Sequence, residues 1–368
     1  MRTFSKAPIE PGAHTLDARW YISPEVFAQE AERIFARSWI GVGRSADLGE
    51  TGSYFLADIA GESLIITRDP AGRARALYNV CRHRGTRLCT EQNGRLKGVI
   101  QCPYHAWTYG LDGTLLAARN MDATPQFDRE AYPLRQAPIV EWEGFLFVSL
   151  QPEKPFEETF APLMGRFNRW ELSRLRCAKR ITYDVRCNWK LVFQNYSECY
   201  HCPVIHPQLE RLSPWESGRN DLMSGPFLGG YMLLRDAQGS LTVSGHTSRA
   251  PLPGLDDDET RRVYYYTLFP SMLLSLHPDY AMVHFVDAKA PDRTTIVCEW
   301  LFDPQTMSSP NFDPSDAVDF WDMTNRQDWQ VSELTQLGVR SRAYAPGPYS
   351  SSEGLLHAFD RHYLSIMQ

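Results

Sequence analysis

Cys81-Arg82-His83 and, eighteen residues later, Cys102-Pro103-Tyr104-His105 place two thiols and two imidazoles on two short arms. Each arm holds one Cys and one His. Each can therefore give one ligand to either iron of a 2Fe–2S centre in which two His replace two Cys on one iron. Imidazole ligation raises the potential of such a centre on the order of hundreds of millivolts above an all-Cys cluster. Two Cys and two His also make a closed tetrahedral zinc site, but zinc arms usually pair Cys with Cys and His with His. A second group follows at Glu198-Cys199-Tyr200-His201 and His206. Two imidazoles and a carboxylate, with positions left open, suit a non-haem Fe(II) that activates oxygen. A solvated Glu–His pair on a helix would show the same residues, so residue types alone leave both readings open.

The elements that must position these groups change character along the chain. Ser23-Pro24-Glu25 is a helix start, followed by Phe27, Ala31, Ile34 and Phe35 at helical spacing. From about residue 40 the pattern is one of short strands. Ser63-Leu-Ile-Ile-Thr67 and Ala76-Leu-Tyr-Asn-Val80 flank an Asp69-Pro-Ala-Gly72 turn and read as a hairpin that runs directly into Cys81. Asp112-Gly113 marks another hairpin after His105. Both arms are therefore expected at loop tips of a small all-β domain ending near 155, where Pro152 and Pro155 mark a join. Beyond it, helical patterns near 156–175, 188–201 and 314–342 accompany predicted strands at 227–235, 240–246, 262–269, 271–277, 281–288 and 294–302. Short turns such as Asp236-Ala-Gln-Gly239 link neighbouring strands. An α+β domain with an antiparallel sheet packed on helices follows. The helix near 188–201 carries Trp189, Phe193, Tyr196 and Tyr200 on one face and Glu198 with His201 on another. Pro203 ends it and leaves His206 to the next loop.

Cys81-Arg-His-Arg-Gly and Cys102-Pro-Tyr-His-Ala-Trp resemble the two cluster arms of the Rieske non-haem iron oxygenases, large (alpha) subunit, and the resemblance extends over nearly the whole chain. Gly94-Arg-Leu-Lys-Gly98 carries extra length between the arms. The resemblance implies a small all-β Rieske domain over 41–155 and a helix-grip catalytic domain over 156–368. The arm and helix of 1–40 would pack on the catalytic domain. It implies a 2Fe–2S cluster on Cys81, His83, Cys102 and His105, and a mononuclear non-haem Fe(II) on His201, His206 and a carboxylate from a late helix. On that helix Val318, Trp321, Asn325, Asp328 and Ser332 share one face, so Asp328 points inward and aligns with the family's late Asp, followed five residues on by Glu333. Glu198 then becomes the bridge that passes electrons between a cluster His, His105, of one subunit and His201 of the next. Most of the family has Asp here, whereas Glu occurs in a branch resembling carnitine and glycine betaine monooxygenases. Asn195-Tyr-Ser-Glu-Cys-Tyr-His-Cys and the stretch from Asp328 to Gly338-Val-Arg-Ser-Arg342 resemble that branch.

The implied activity is an oxygenase that takes electrons from a separate NAD(P)H-dependent reductase. It would use O2 to hydroxylate or N-dealkylate a small organic substrate, a quaternary amine in this branch, and it would work as a homotrimer. An aromatic ring-hydroxylating dioxygenase is the alternative. A 2Fe–2S electron carrier would leave the second metal group unexplained, and a structural zinc protein would have no redox role. The net charge of −6 gives no basic footprint for nucleic acid. No apolar run approaches the roughly 20 residues of a membrane span, and the first residues lack a signal-peptide pattern. Of the eight cysteines, two belong to the arms. Cys89, Cys177, Cys187, Cys199, Cys202 and Cys298 are expected to be reduced and core-like, in a cytoplasmic protein. The aromatics Tyr264, Tyr265, Tyr266, Phe269, Tyr280, Phe285 and Trp300 sit at strand spacing. Tyr265 must face away from Tyr264 and Tyr266. The acidic run Asp256-Asp-Asp-Glu259 reads as a solvated loop.

Overall fold

The computed structural model of the chain describes residues 3–236 and 239–368. They form two compact units. One is Ala31–Thr159, and the other joins the residues up to Glu30 with Phe160–Gln368. Of the turn expected at Asp236-Ala-Gln-Gly239, Ala237 and Gln238 lie outside the described residues.

The first unit is all-β apart from short helical turns. Its five-stranded sheet contains the hairpin Glu62–Arg68 and Ala74–Tyr78. The Asp69 carboxylate fixes the turn by accepting from the backbone N–H groups of Ala71 and Arg73, both at 2.9 Å, as an Asx-type turn does. A three-stranded sheet of Val99–Gln101, Thr108–Gly110 and Leu115–Ala117 carries the second arm. Between these sheets a core of Leu56, Ile65, Leu77, Trp107 and Tyr109 closes around Cys81 and Cys102.

The second unit is built on a seven-stranded antiparallel sheet. Its spatial order is Arg176–Val185, Arg293–Phe302, Ala281–Ala290, Met272–Leu276, Arg262–Leu268, Phe227–Leu233 and Arg219–Ser224. The helix Trp189–Tyr196 contacts the long helix Ser315–Val339 and the last helix Gly354–Met367. Asn188 caps the first of these, its side chain accepting from the Lys190 N–H at 3.1 Å. Of the expected face the long helix buries Val318, Trp321, Asn325 and Ser332 and leaves Asp328 half-buried, with Trp329 buried beside them.

Several expected elements differ. The segment 240–246 is not a strand. Ser240 donates to Asp279 (2.8 Å) and Thr242 to the His246 carbonyl (2.8 Å), and Gly245 has φ +81°. These local side-chain bonds compete with a ladder. The stretch 156–175 breaks into three short helical pieces. Strands Arg176–Val185 and Arg219–Ser224 are additional. The acidic run is not simply solvated, because Glu259 is buried and together with Asp256 accepts from Arg169.

Candidate active site

The two cluster arms share one backbone frame. The N–H of Cys81 bonds to the carbonyl of Thr86 (2.8 Å), and that of Gly85 to the carbonyl of Cys81 (3.0 Å). The N–H of Cys102 bonds to the carbonyl of Trp107 (2.8 Å), and that of Ala106 to the carbonyl of Cys102 (3.1 Å). The fourth residue after each Cys has a left-handed backbone, Gly85 at φ +75° and Ala106 at φ +58°. Glycine meets that requirement in the first arm at no steric cost. The frames bury both thiols and leave His83 exposed and His105 half-buried, with ring centroids 4.8 Å apart. The Tyr109 hydroxyl lies 3.3 Å from Cys81 Sγ and accepts from the Arg82 N–H (3.0 Å). Trp107 stacks on His83 at 4.9 Å. Burial, then His105 and Arg84, push the His83 pKa down, which favours the neutral imidazole that a metal requires. Two buried sulfurs opposite two accessible imidazoles fit a two-iron cluster with His on its outer iron.

The second group assembles in the other unit. His201 and His206 come from the turn after the helix Trp189–Tyr196, and Asp328 from the long helix. His206 Nε2 is 2.8 Å and His201 Nε2 3.4 Å from Asp328 Oδ1. The three donor atoms lie within 4.8 Å of one another and could hold a metal ion. In each ring Nδ1 donates to a side-chain oxygen, His201 to Glu198 Oε1 (2.6 Å) and His206 to Gln327 Oε1 (2.8 Å). That leaves Nε2 directed at the carboxylate, the orientation that outer partners impose on metal-binding imidazoles. Burial works against charge on these groups. Even so, bonds to Asp328 and Glu198 push the His201 pKa up to about 10, and the two imidazoles hold Asp328 at about 2. Gln327 escaped the sequence reading. Its only signal is its place beside Asp328.

The helix from Trp189 ends at Tyr196, short of the expected 201. Ser197 Oγ turns back to the Phe193 carbonyl (2.6 Å), and the Glu198 carboxylate accepts from the N–H groups of Tyr200 and His201. These bonds terminate the helix before Pro203 can. Glu198 and His201 therefore meet in a turn, and Tyr200 is exposed rather than on an apolar face. The same turn brings the Cα atoms of Cys199 and Cys202 to 5.0 Å. The two residues, expected as reduced thiols, form a disulfide. Cys177 is exposed, not core-like, and its Sγ donates to the Lys179 carbonyl (3.2 Å).

His201, His206, Asp328 and Glu198 all line one open cavity of about 160 Å³. Tyr196, Trp215, Tyr231, Tyr265 and Trp321 supply its aromatic walls. Tyr265 meets Tyr196 and Trp321 edge-on at 6.1 and 6.3 Å, and Tyr196 is held by a 2.8 Å bond between its hydroxyl and Ser275 Oγ. Gly229 and Gly230 also line the cavity, and a Cβ on Gly229 would sit 2.1 Å from the Tyr265 carbonyl. Tyr264, Tyr266, Tyr280 and Trp300 are core, as strand spacing predicts. Tyr264 and Tyr266 stack on the side opposite Tyr265.

The fold, the paired arms and the two-His-one-carboxylate group define a Rieske oxygenase. Residues 38–128 match the Rieske [2Fe-2S] domain, and residues 172–368 match the ring hydroxylating alpha subunit (catalytic domain). The chain belongs to this family of oxidoreductases, whose members hold a 2Fe–2S cluster and a mononuclear non-haem iron. It is 32% identical to the glycine betaine monooxygenase oxygenase subunit of Chromohalobacter salexigens, over 92% of this chain and 82% of that one. It is 30% identical to the carnitine monooxygenase oxygenase subunit of Escherichia coli, over 90% and 86%. The crystal structure of the quaternary ammonium Rieske monooxygenase CntA with L-carnitine superposes with a TM-score of 0.78 at 26% identity, over 97% and 96% of the chains. Naphthalene 1,2-dioxygenase from Rhodococcus sp. shares the fold at 19% identity and a TM-score of 0.78. Among the described residues no helix is long and apolar enough to cross a membrane.

Proposed function

We propose that this chain is the oxygenase component of an N-dealkylating monooxygenase for small quaternary ammonium compounds. The observation that carries the reading is that His201, His206 and Asp328 open into a cavity walled by Tyr196, Trp215, Tyr231, Tyr265 and Trp321. Aromatic faces hold a trimethylammonium group by cation–π attraction, about 2 kcal/mol or more when the pair is desolvated. The relatives that act on glycine betaine and carnitine support the same substrate class over a ring-hydroxylating role.

In this reading Cys81, His83, Cys102 and His105 hold the 2Fe–2S cluster, and His201, His206 and Asp328 hold the iron. The bound cluster supplies electrons singly and the bound iron activates oxygen. Glu198 and Gln327 fix the two imidazole rings through Nδ1, and the aromatic walls direct an N-methyl group at the ligand side of the cavity. The net change is R–N(CH3)3+ plus O2, two electrons and two protons giving R–N(CH3)2H+, formaldehyde and water. The electrons come from a separate NAD(P)H-dependent reductase in the cytoplasm. Glu198 accepts from His201 Nδ1 through Oε1 and is the bridge to His105 of the partner subunit, so the working unit is a homotrimer.

The test is substrate-dependent oxygen uptake with a surrogate reductase, with product masses, over betaine-like and carnitine-like amines and simple aromatics. Formaldehyde with a demethylated or cleaved amine supports the reading. A cis-diol from the aromatics, with no turnover of the amines, would overturn it.

A further inference from the structure

Part of the cavity wall is built by segments near the two ends of the described chain. Lys6 and Ala7 line it together with Ser351, Ser352, Gly354 and Leu355. The two segments are stitched to each other. The Thr15 N–H bonds to the Gly347 carbonyl (2.9 Å), the Gly347 N–H to Thr15 Oγ1 (3.0 Å), and the Tyr344 hydroxyl to the Leu16 carbonyl (2.8 Å). Ser5 pairs with Asn220 through both backbone groups (2.9 and 2.7 Å). Gly354 is pressed on the arm so closely that a Cβ there would lie 2.1 Å from the Ala7 carbonyl.

One carboxylate joins this wall to the ligand side. Asp360, 2% exposed, projects from the helix Gly354–Met367. Its Oδ2 accepts from the Tyr349 hydroxyl (2.7 Å), within the irregular segment that precedes Ser351. Its Oδ1 accepts from Gln194 Nε2 (2.6 Å), on the helix Trp189–Tyr196. Gln194 is further held by the Tyr21 hydroxyl (2.9 Å). Asn195 and Tyr196, the next residues, line the cavity, and Glu198 and His201 follow in the turn. A buried carboxyl group bonded on both oxygens fixes both partners, because leaving either bond unmade strands a polar group away from water.

We propose that Asp360 is a positioning residue for this site, setting the Ser351–Leu355 wall and the Glu198–His201 turn through one carboxylate. The assignment rests on the reading of this cavity as the substrate site. Asp360 touches neither the metal-ligating side chains nor the cavity itself. It acts through Tyr349 on one side and Gln194 on the other. Loosening either bond therefore widens the cavity and frees the turn, and the effect is expected on substrate affinity before chemistry.

The experiment is amide hydrogen exchange and steady-state kinetics on the holoenzyme as wild type, Tyr349→Phe and Asp360→Asn. Tyr349→Phe removes one hydroxyl and serves where Asp360→Asn folds poorly. Exchange in residues 341–355 and 195–206 should rise about tenfold in both variants, with the sheet amides of 281–302 unchanged. KM for the amine that turns over should rise about fivefold, with the loss in kcat/KM falling on KM. Unchanged exchange in 195–206 after Tyr349→Phe would overturn the proposal, as would a loss confined to kcat. Faster exchange in both segments of an enzyme that turns over no amine would support the coupling and count against the substrate reading alone.

Discussion

Lys190 and Glu30 form an ion pair at 2.5 Å with both side chains fully buried, at the root of the helix that leads to the ligand turn. The carboxylate also accepts from Trp189 Nε1 (2.9 Å) and from the Tyr363 hydroxyl (2.6 Å), and the ammonium lies 4.8 Å from the Tyr363 ring centre and 5.1 Å from that of Trp189. At an effective dielectric of about 20 the gross attraction is about 7 kcal/mol. It is offset by a desolvation penalty of several kcal/mol per ion. Each half alone is therefore far costlier than the pair is valuable. Lys190→Met should leave an uncompensated carboxylate and destabilise by about 3–5 kcal/mol, and Glu30→Gln should cost a similar amount. The double variant, neutral on both sides with the Trp189 and Tyr363 bonds retained, should lie within about 2 kcal/mol of wild type.

Thermal unfolding of the holoenzyme at a fixed scan rate reads this as a fall of about 10 °C for each single variant and a few degrees for the double, at about 2–4 °C per kcal/mol. Burial lowers the Lys190 pKa, and Glu30 works against that shift. Without Glu30 the folded pKa drops further below the unfolded value of 10.5. The unfolded state then binds more protons, so Glu30→Gln should regain stability as pH rises toward that value. A double variant that loses the sum of the two single effects would refute the reasoning, because it would mean that the two charges act independently.

Asp328→Ala should lower the iron content from about three to about two per chain while leaving the visible spectrum of the cluster unchanged; loss of the cluster as well would mean that Asp328 supports the fold instead. Glu198→Gln keeps an acceptor for His201 but loses the charge, and coupled turnover should fall about 10- to 100-fold with both metals retained, read by single-turnover reoxidation of the cluster. Tyr265→Leu should raise KM for a trimethylammonium substrate about fivefold or more and leave binding of a neutral tert-butyl analogue nearly unchanged; equal losses for both would remove the cation–π argument. Burial pushes the Asp360 pKa from 3.8 to about 7 against the bonds from Tyr349 and Gln194 and the charge of Lys190. The folded state then holds a proton that the unfolded state releases, so stability falls as pH climbs through that window, by on the order of 4 kcal/mol at most. Asp360→Asn should flatten this slope in unfolding measurements between about pH 4 and 7.

Both candidate metal groups could be proposed from the sequence because their geometry is mostly local. The arms need a Cys, a His and a left-handed residue within five positions, and Gly85 supplies the last openly while Ala106 conceals it. Asp328 lies far from His206 in sequence, yet a helix of 25 residues has a periodicity that separates its buried Asp328 face from exposed Asp319 and Arg326. Three features stayed hidden. The strand Arg176–Val185 is an edge strand that buries only Tyr183 and Val185 and carries Arg176, Lys179 and Arg180 in its first half, so it shows little alternation. The helix end at Tyr196 depends on side chains of Ser197 and Glu198 bonding backbone, which competes with propensity at close to equal energy. The contribution of residues 6 and 7 to the cavity wall depends on pairing across more than 300 positions, which no local pattern encodes.

The helix Trp189–Tyr196 explains how these distant parts serve one site. Trp189, Val192 and Phe193 bury one side of it in the core. Lys190 and Gln194, four apart and so on one face, carry the polar load, Lys190 to Glu30 and Gln194 to Asp360. The chain then leaves the helix at Ser197 and delivers Glu198 and His201. A helix of eight residues has little stability of its own, and apolar packing alone would leave it free to rotate by the small angles that move a ligand nitrogen. Two buried carboxylates, each with donors from different elements, fix both its rotation and its height. Such groups cost desolvation energy, and a site that brings two imidazoles and one carboxylate within 4.8 Å gains positional precision in return.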